Sequence, residues 1–243
     1  MKFLQAIRSV LFTIIFFSYS LLLCIIFSPT LLMPKKYARF VPWLWATINP
    51  YLLRLCGIKI QIKGLHNLPK KNGYIIASNH QSALETTLFH ALAPNTVYVL
   101  KKQLLWLPVT GWYFLKTGCI PIDRKGGSKT MRLMFHATQE RLAEGCNVVI
   151  FPEGTRIPPD KTVPYSPGVA LMYEQCQVPV VPVALNSGYC WQKNKTIKKP
   201  GTVTLEFLKP IEPGLAKREF LKKLQDTIEE ARQKLPSPFE KKK

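Results

Sequence analysis

Short apolar runs rich in β-branched residues recur along most of this chain, at 58–63, 73–79, 96–100, 119–123, 147–151, 178–185 and 202–208. Most are bounded by Gly, Pro or Asn, and they predict seven β-strands. Helical patterns lie between them. The stretch 82–92 is apolar. The stretch 128–144 opens on Ser128 as a capping residue, gathers Met131, Met134, Phe135 and Leu142 on one side, and stops at Gly145. A last amphipathic stretch, 216–235, carries Phe220, Leu224, Ile228 and Leu235 at helical spacing. Strands alternating with helices imply an α/β fold, a mostly parallel sheet flanked by helices. In such sheets ligands gather at the carboxyl ends of the strands. The Pro-rich piece 157–167 reads as a rigid excursion over the surface.

The first fifth of the chain breaks this alternation. Positions 9–34 carry no charge and are mostly Leu, Ile, Phe and Val. As a helix they are long enough to cross a hydrocarbon core of ~30 Å. A signal peptide has a shorter apolar region, ~7–15 residues, followed by a small-x-small cleavage site that is not found here. The segment therefore reads as a membrane-anchoring helix. It either spans or enters and returns, with the Pro29 region as its bend. Lys2 and Arg8 precede it and Lys35, Lys36 and Arg39 follow, so flanking charge orients it only weakly. The stretch 37–55 sets Trp43, Trp45 and Tyr51 among basic residues, as an interfacial segment does, and a helix packed on the globular core is its alternative. Three regions result: an N-terminal anchor and interfacial segment (1–56), an α/β domain (57–215), and a C-terminal helix with a basic tail (216–243).

Charge narrows the partners. The chain has 243 residues and a net charge of +20, so its partners are anionic. The basic residues are scattered, and no zinc-finger or RNP-like signature accompanies them, which points to anionic membrane lipids or phosphorylated small molecules and not to nucleic acid. Six cysteines without a Cys-x-x-Cys pair argue against a zinc site and read as structural thiols. His66, His90 and His136 show no ligand spacing, so no metal is expected. The absence of a Gly-x-Ser-x-Gly elbow and of a P-loop disfavours hydrolase and kinase chemistry.

Two motifs remain, each at the end of an expected strand. Asn79-His80-Gln81-Ser82-Ala83-Leu84-Glu85 offers an imidazole with a carboxylate five residues on. An alcohol is a poor nucleophile at neutral pH; a histidine base takes its proton, and a carboxylate on the opposite ring nitrogen fixes the tautomer. On a regular helix a five-residue step turns through about 500°, which would splay the pair. His80 must therefore sit in the turn before the helix. Ser82-Ala83-Leu84-Glu85 is also a capping box, in which Glu85 only satisfies a backbone N–H. The second motif, Phe151-Pro152-Glu153-Gly154-Thr155-Arg156, joins a close-approach glycine to a guanidinium suited to phosphate. A base beside an anion-binding turn suits acyl transfer to a hydroxyl of a phosphate-bearing acceptor.

These motifs resemble those of the glycerolipid acyltransferase family, most closely its bacterial 1-acylglycerol-3-phosphate acyltransferases. Further blocks support the resemblance: 106–112 followed by Gly118-Cys119-Ile120-Pro121-Ile122-Asp123-Arg124, then Lys101 early in 99–104, and 180–188, which the resemblance makes a buried strand whose end borders the acyl-donor side. The family pattern is His-x4-Asp, whereas this chain carries Glu85, whose arm is longer by one methylene. The resemblance implies that His80 is the base, that Glu85 orients it, and that Glu153, Gly154, Thr155 and Arg156 form the acceptor site. Glu153 would lie near the glycerol hydroxyls, and Arg156, Arg124 and Lys101 on the phosphate. It implies transfer of a fatty acyl group from acyl-CoA or acyl-carrier protein to lysophosphatidic acid, with no cofactor beyond that co-substrate. It also implies a bacterial inner-membrane location with the catalytic domain on the cytoplasmic side. Another lysophospholipid or lyso-aminolipid acceptor is the near alternative, and a non-catalytic lipid-binding protein the distant one.

Overall fold

A computed structural model describes residues 2–123 and 126–239. All seven expected strands form, each within two residues of its expected bounds: β1 (Ile58–Lys63), β2 (Ile75–Ser78), β3 (Thr96–Lys101), β4 (Ile120–Ile122), β5 (Asn147–Ile150), β6 (Val180–Leu185) and β7 (Gly201–Phe207). They make one sheet in the order β1-β7-β6-β2-β5-β3-β4. Every pairing is parallel except that of β6 with β7. All positions of the central strands β2, β5 and β6 are buried, so both faces of the sheet are covered, which explains why these strands read as continuous apolar runs.

The helices are α1 (Lys2–Ile26), α2 (Lys35–Ala38), α3 (Phe40–Leu53), α4 (Phe89–Leu92), α5 (Thr110–Thr117), α6 (Gly127–Ala143), α7 (Pro167–Cys176) and α8 (Lys217–Lys234). Three expectations are corrected. The α6 helix begins at Gly127 with Gly126 as its N-cap, so Ser128 lies inside the first turn and is not the cap. The stretch 82–92 is not one helix but a turn, a 3-10 segment Glu85–Thr87 and the short α4. There the Thr86 and Thr87 hydroxyls donate to the carbonyls of Ala83 and Leu84, and the Glu85 carboxylate takes up the preceding backbone N–H groups, so side chains compete with the helical ladder. Third, α5 and α7 were not expected. The α7 start was nevertheless written in the sequence, since Ser166 accepts from the Gly168 N–H and Pro167 occupies the first helical position.

The N-terminal region is a helical hairpin packed on the sheet domain. After α1, the 3-10 turn Ser28–Leu32 contains Pro29, and α3 returns along α1. Trp45 Nε1 donates to Ser20 Oγ at 2.8 Å and Gln5 Nε2 to the Cys56 carbonyl at 3.0 Å. Among the described residues α1 is the one helix long and apolar enough to cross a membrane. Its two sides differ. Phe3, Ile7, Val10, Ile14, Phe17, Leu21 and Ile25 are exposed along one apolar face. The other side inserts Phe12 into the main core with Leu53, Cys56 and the sheet residues. The same core takes Phe220, Leu224 and Ile228 of α8, so the boundaries at 56 and 215 are shifts of composition and not of packing. In the 37–55 stretch the packing of a core helix is seen on one side. Val41, Ala46 and Leu53 are buried in α3, while Trp43 and Tyr51 are exposed beside the apolar face. All six cysteines are free, and all but Cys176 are buried.

Candidate active site

Parallel β2 and β5 end side by side, and each delivers one motif to the same edge of the sheet. At the end of β2 the Asn79 side chain acts like a strand residue: Oδ1 accepts the Leu185 N–H at 2.9 Å and Nδ2 donates to the Leu185 carbonyl at 3.0 Å. Gln81 Oε1 accepts the Gly188 N–H at 3.0 Å. A Cβ on Gly188 would stand 2.9 Å from Gln81 Cβ, so glycine permits this approach. The turn carrying His80 is therefore strapped to the end of β6 on both sides of the histidine.

Within that turn His80 Nδ1 and Glu85 Oε1 lie 2.9 Å apart. A carboxylate only accepts, which assigns the ring proton to Nδ1 and leaves the lone pair of Nε2 uncommitted. The imidazole stacks on Phe151, with centroids 4.1 Å apart and planes 19° from parallel, so the β5 end fixes its plane. Its side chain is 14% exposed, whereas Glu85 is fully buried. Beyond the imidazole, Glu85 accepts from the N–H groups of Gln81 (2.6 Å) and Ser82 (2.7 Å) and from the hydroxyls of Ser82 (3.1 Å) and Ser187 (2.6 Å). One carboxylate thus meets both the Ser82 backbone N–H and the His80 ring nitrogen. Burial works against its charge, but the His80 contact, the Ser187 hydroxyl and the Ser82 N–H outweigh it and hold the carboxyl below its ordinary value.

The 151–157 segment grips His80 by its backbone. The His80 N–H donates to Glu153 Oε2 at 2.7 Å, and the Ile157 N–H donates to the His80 carbonyl at 2.7 Å. Burial, reinforced by the nearby charge of Glu85, pushes the Glu153 carboxyl up to about 8 against the pull of that N–H. Between these two contacts Gly154 takes φ +67°, a left-handed turn that L side chains resist. Thr155 is exposed and Arg156 half-buried, and the Arg156 guanidinium has no hydrogen-bond partner among the described residues. Lys101 ends β3, the strand beside β5, and is exposed. Arg124 lies outside the described residues. By contrast His90 is packed edge-on against Tyr98, and burial pushes it down to about 4, which keeps it neutral without a carboxylate partner. Among the described residues no group of three His, Cys, Asp or Glu side chains could hold a metal ion.

Asn79, Gln81 and Ser187 were not singled out from sequence as site residues. Their role depends on β2 and β6 being neighbours, and the only signal was a polar Asn186-Ser187-Gly188 closing an apolar strand. Lys193 was also missed. Its Nζ donates to Thr155 Oγ1 at 3.3 Å and to the Arg156 carbonyl at 3.2 Å.

An imidazole paired with a buried carboxylate, beside a turn with an unengaged guanidinium, suits acyl transfer at the edge of an α/β sheet. The family model described as Acyltransferase matches residues 59–186, and the chain belongs to that family. Over 207 residues it is 34% identical to the 1-acyl-sn-glycerol-3-phosphate acyltransferase of Pseudomonas aeruginosa, covering 84% of this chain and 80% of that protein. The alpha form of the same enzyme from Mus musculus is 31% identical over 160 residues, which cover 65% of this chain and 56% of the mouse protein. The crystal structure of the 1-acyl-sn-glycerophosphate acyltransferase PlsC from Thermotoga maritima shares the fold, with a TM-score of 0.78 at 20% identity, covering 96% of this chain and 99% of that one.

Proposed function

We propose that this chain transfers a fatty acyl group from a thioester to the 2-hydroxyl of 1-acyl-glycerol-3-phosphate, producing phosphatidic acid. The observation that carries the reading is the 2.9 Å His80–Glu85 pair, held at the same sheet edge as the Arg156 turn. His80 Nε2 takes the proton of the acceptor hydroxyl as its oxygen attacks the thioester carbonyl. The tetrahedral intermediate collapses with loss of the thiolate, which recovers the proton from His80 and leaves as the thiol. Glu85 stabilises the imidazolium in between. Attack is direct: the Ser82 and Ser187 hydroxyls donate to Glu85, on the far side of the ring from Nε2, and are not placed as covalent relays. Arg156, with Lys101 and Arg124, binds the acceptor phosphate. Gly154 gives the turn its shape, and Thr155 borders the phosphate. Glu153 holds the His80 backbone through one carboxyl oxygen, which leaves the other for a glycerol hydroxyl.

The donor is acyl-CoA or acyl-carrier protein, and the acceptor and product are membrane lipids. In this reading the exposed face of α1 and the aromatic residues of α3 enter one side of a bilayer, while basic residues meet anionic headgroups. Because a face of α1 is docked on the catalytic domain, the site stays at the lipid surface. The membrane we assign on the family resemblance alone is a bacterial inner membrane, with the catalytic domain on its cytoplasmic side. The deciding experiment is acyl transfer by the purified chain with both donor types and a panel of lysophospholipid acceptors. Phosphatidic acid should be the main product. Preferential acylation of a different lysolipid would redirect the reading, and no transfer from either donor would end it.

A further inference from the structure

Among the described residues the proposed acceptor site takes Lys101 from β3 and Arg156 from the turn after β5. The end of β6 supplies one more. The loop that follows it is closed by a hydrogen bond from the Lys199 N–H to the Cys190 carbonyl at 2.8 Å, with a tighter turn from Lys195 N–H to Gln192 carbonyl at 3.2 Å inside it. Both ends are fixed. Ser187 is bonded to Glu85, and the Trp191 N–H donates to the Ser187 carbonyl at 2.9 Å. The Trp191 ring sits edge-on to Phe12 and Phe16 of α1. Lys198, only 3% exposed, donates to Thr13 Oγ1 at 2.7 Å and lies over the Phe12 and Trp191 rings. Lys193 projects from this pinned loop onto Thr155 and Arg156, 38 and 37 residues away in sequence.

An ammonium has three donors, and two of them here make contacts at the long end of the hydrogen-bond range with neutral acceptors. Phosphate oxygens are stronger acceptors for a cation, and charge-assisted bonds are about twice as strong as neutral ones. A phosphate bound by Arg156 would therefore capture the Lys193 ammonium from Thr155. A monoester carries about −1.5 to −2 charge and three free oxygens, whereas a diester carries one charge and a bulky substituent on the oxygen that would face the loop.

We propose that Lys193 is a specificity-determining ligand of the acceptor, selecting a terminal phosphate monoester over the phosphodiester headgroups of other lysophospholipids. This rests on the acyltransferase reading above and extends it to acceptor selection. Lys193→Ala in the full chain raises the KM for 1-acyl-glycerol-3-phosphate by about 10-fold, the value of one charge-assisted contact. The thioester KM stays within about twofold of wild type. Turnover of a 1-acyl-glycerophosphoethanolamine or of a monoacylglycerol changes much less, so the monoester preference shrinks. Lys193→Arg restores most of it.

The measurements are steady-state kinetics with these three acceptors and the melting temperature of each variant. An unchanged monoester KM in Lys193→Ala would sink the proposal while leaving the function intact. An equal fall in kcat for all acceptors, together with a lower melting temperature, would assign Lys193 to support of the turn instead and would equally overturn it. A wild-type protein that does not acylate the monoester would remove the function reading, and this inference with it.

Discussion

Glu85→Gln is the sharpest test of the site, because glutamine reproduces the shape of the side chain and removes only its charge. Oε1 accepts from His80, Gln81 and Ser82, while Oε2 accepts from two hydroxyls, of Ser82 and Ser187. An amide can keep its oxygen on the first side and turn its NH2 towards the hydroxyls, which rotate to accept. Folding is therefore retained. Glu85→Ala would instead strand buried donors at a cost of about 3–5 kcal/mol, a large part of a domain's ~5–15 kcal/mol, and would confuse catalysis with unfolding. What glutamine removes is the counter-charge to the imidazolium, so kcat falls about 100- to 10,000-fold, or ~3–5 kcal/mol of barrier. Glu85→Asp keeps the charge but shortens the arm. It cannot reach His80 and Ser187 together, and it retains an intermediate rate. The pH dependence of stability supplies an independent check. The folded carboxyl lies below its unfolded value, so its contribution is present above the unfolded pKa and lost as pH falls through the folded one. Glu85→Gln lacks that acid loss. The assay is kcat for the three proteins alongside their melting temperatures from acid to neutral pH. Turnover by Glu85→Gln above about a tenth of wild type would leave the residue only its capping role.

Further outcomes follow from the same geometry. His80→Ala should abolish transfer while the protein folds and still sediments with vesicles; retention of more than about a tenth of the turnover would remove His80 as the base. Arg156→Ala should raise the acceptor KM about 10- to 150-fold and spare the thioester KM. A change confined to the donor KM would refute the placement of phosphate at this turn. Glu153, pushed up to about 8, stays protonated in the fold where the unfolded chain ionises, so stability declines as pH rises from ~4.5 towards 8. Glu153→Gln should flatten that decline and keep His80 in place, and thermal melts showing the wild-type slope in the variant would contradict this. Deleting residues 2–26 should lower stability as well as weaken vesicle binding, because it uncovers Lys198 and leaves a hole at Phe12. An unchanged melting temperature would make α1 a separable anchor.

The central strands were legible because burial on both faces writes them as unbroken apolar runs, as in Val148-Val149-Ile150 and Val180-Val181-Pro182-Val183. The two central motifs were legible because each is contiguous. Less was visible where function is assembled across the sheet. Nothing local tells Ser187 that it will meet Glu85, or Lys193 that it will meet Thr155, since strand order and not spacing brings them together. The 82–92 stretch misled because its apolar content is helical in pattern while its polar residues, Ser82, Glu85, Thr86 and Thr87, are spent on local bonds. For α1 the apolar length was plain, but the sequence does not say which side meets protein. The small polar residues Ser9 and Thr13 mark that side only once Lys198 is known to lie against them.

That docking bears on how the site works at a surface. The loop running from Ser187 to Lys199 touches the Glu85 carboxylate at one end and the apolar helix at the other, and it carries Lys193 between them. A helix that only tethered the domain would need no such contacts, and a flexible linker would let the site drift from the bilayer. Here the helix bonded to that loop also presents the exposed apolar face. If that face lies in lipid, as proposed above, an acceptor whose acyl chain remains in the bilayer reaches the Arg156 turn with its headgroup without leaving the membrane. The Glu85 carboxylate bonds both His80 and Ser187, so the His80 turn, the β6 loop and α1 form one connected unit.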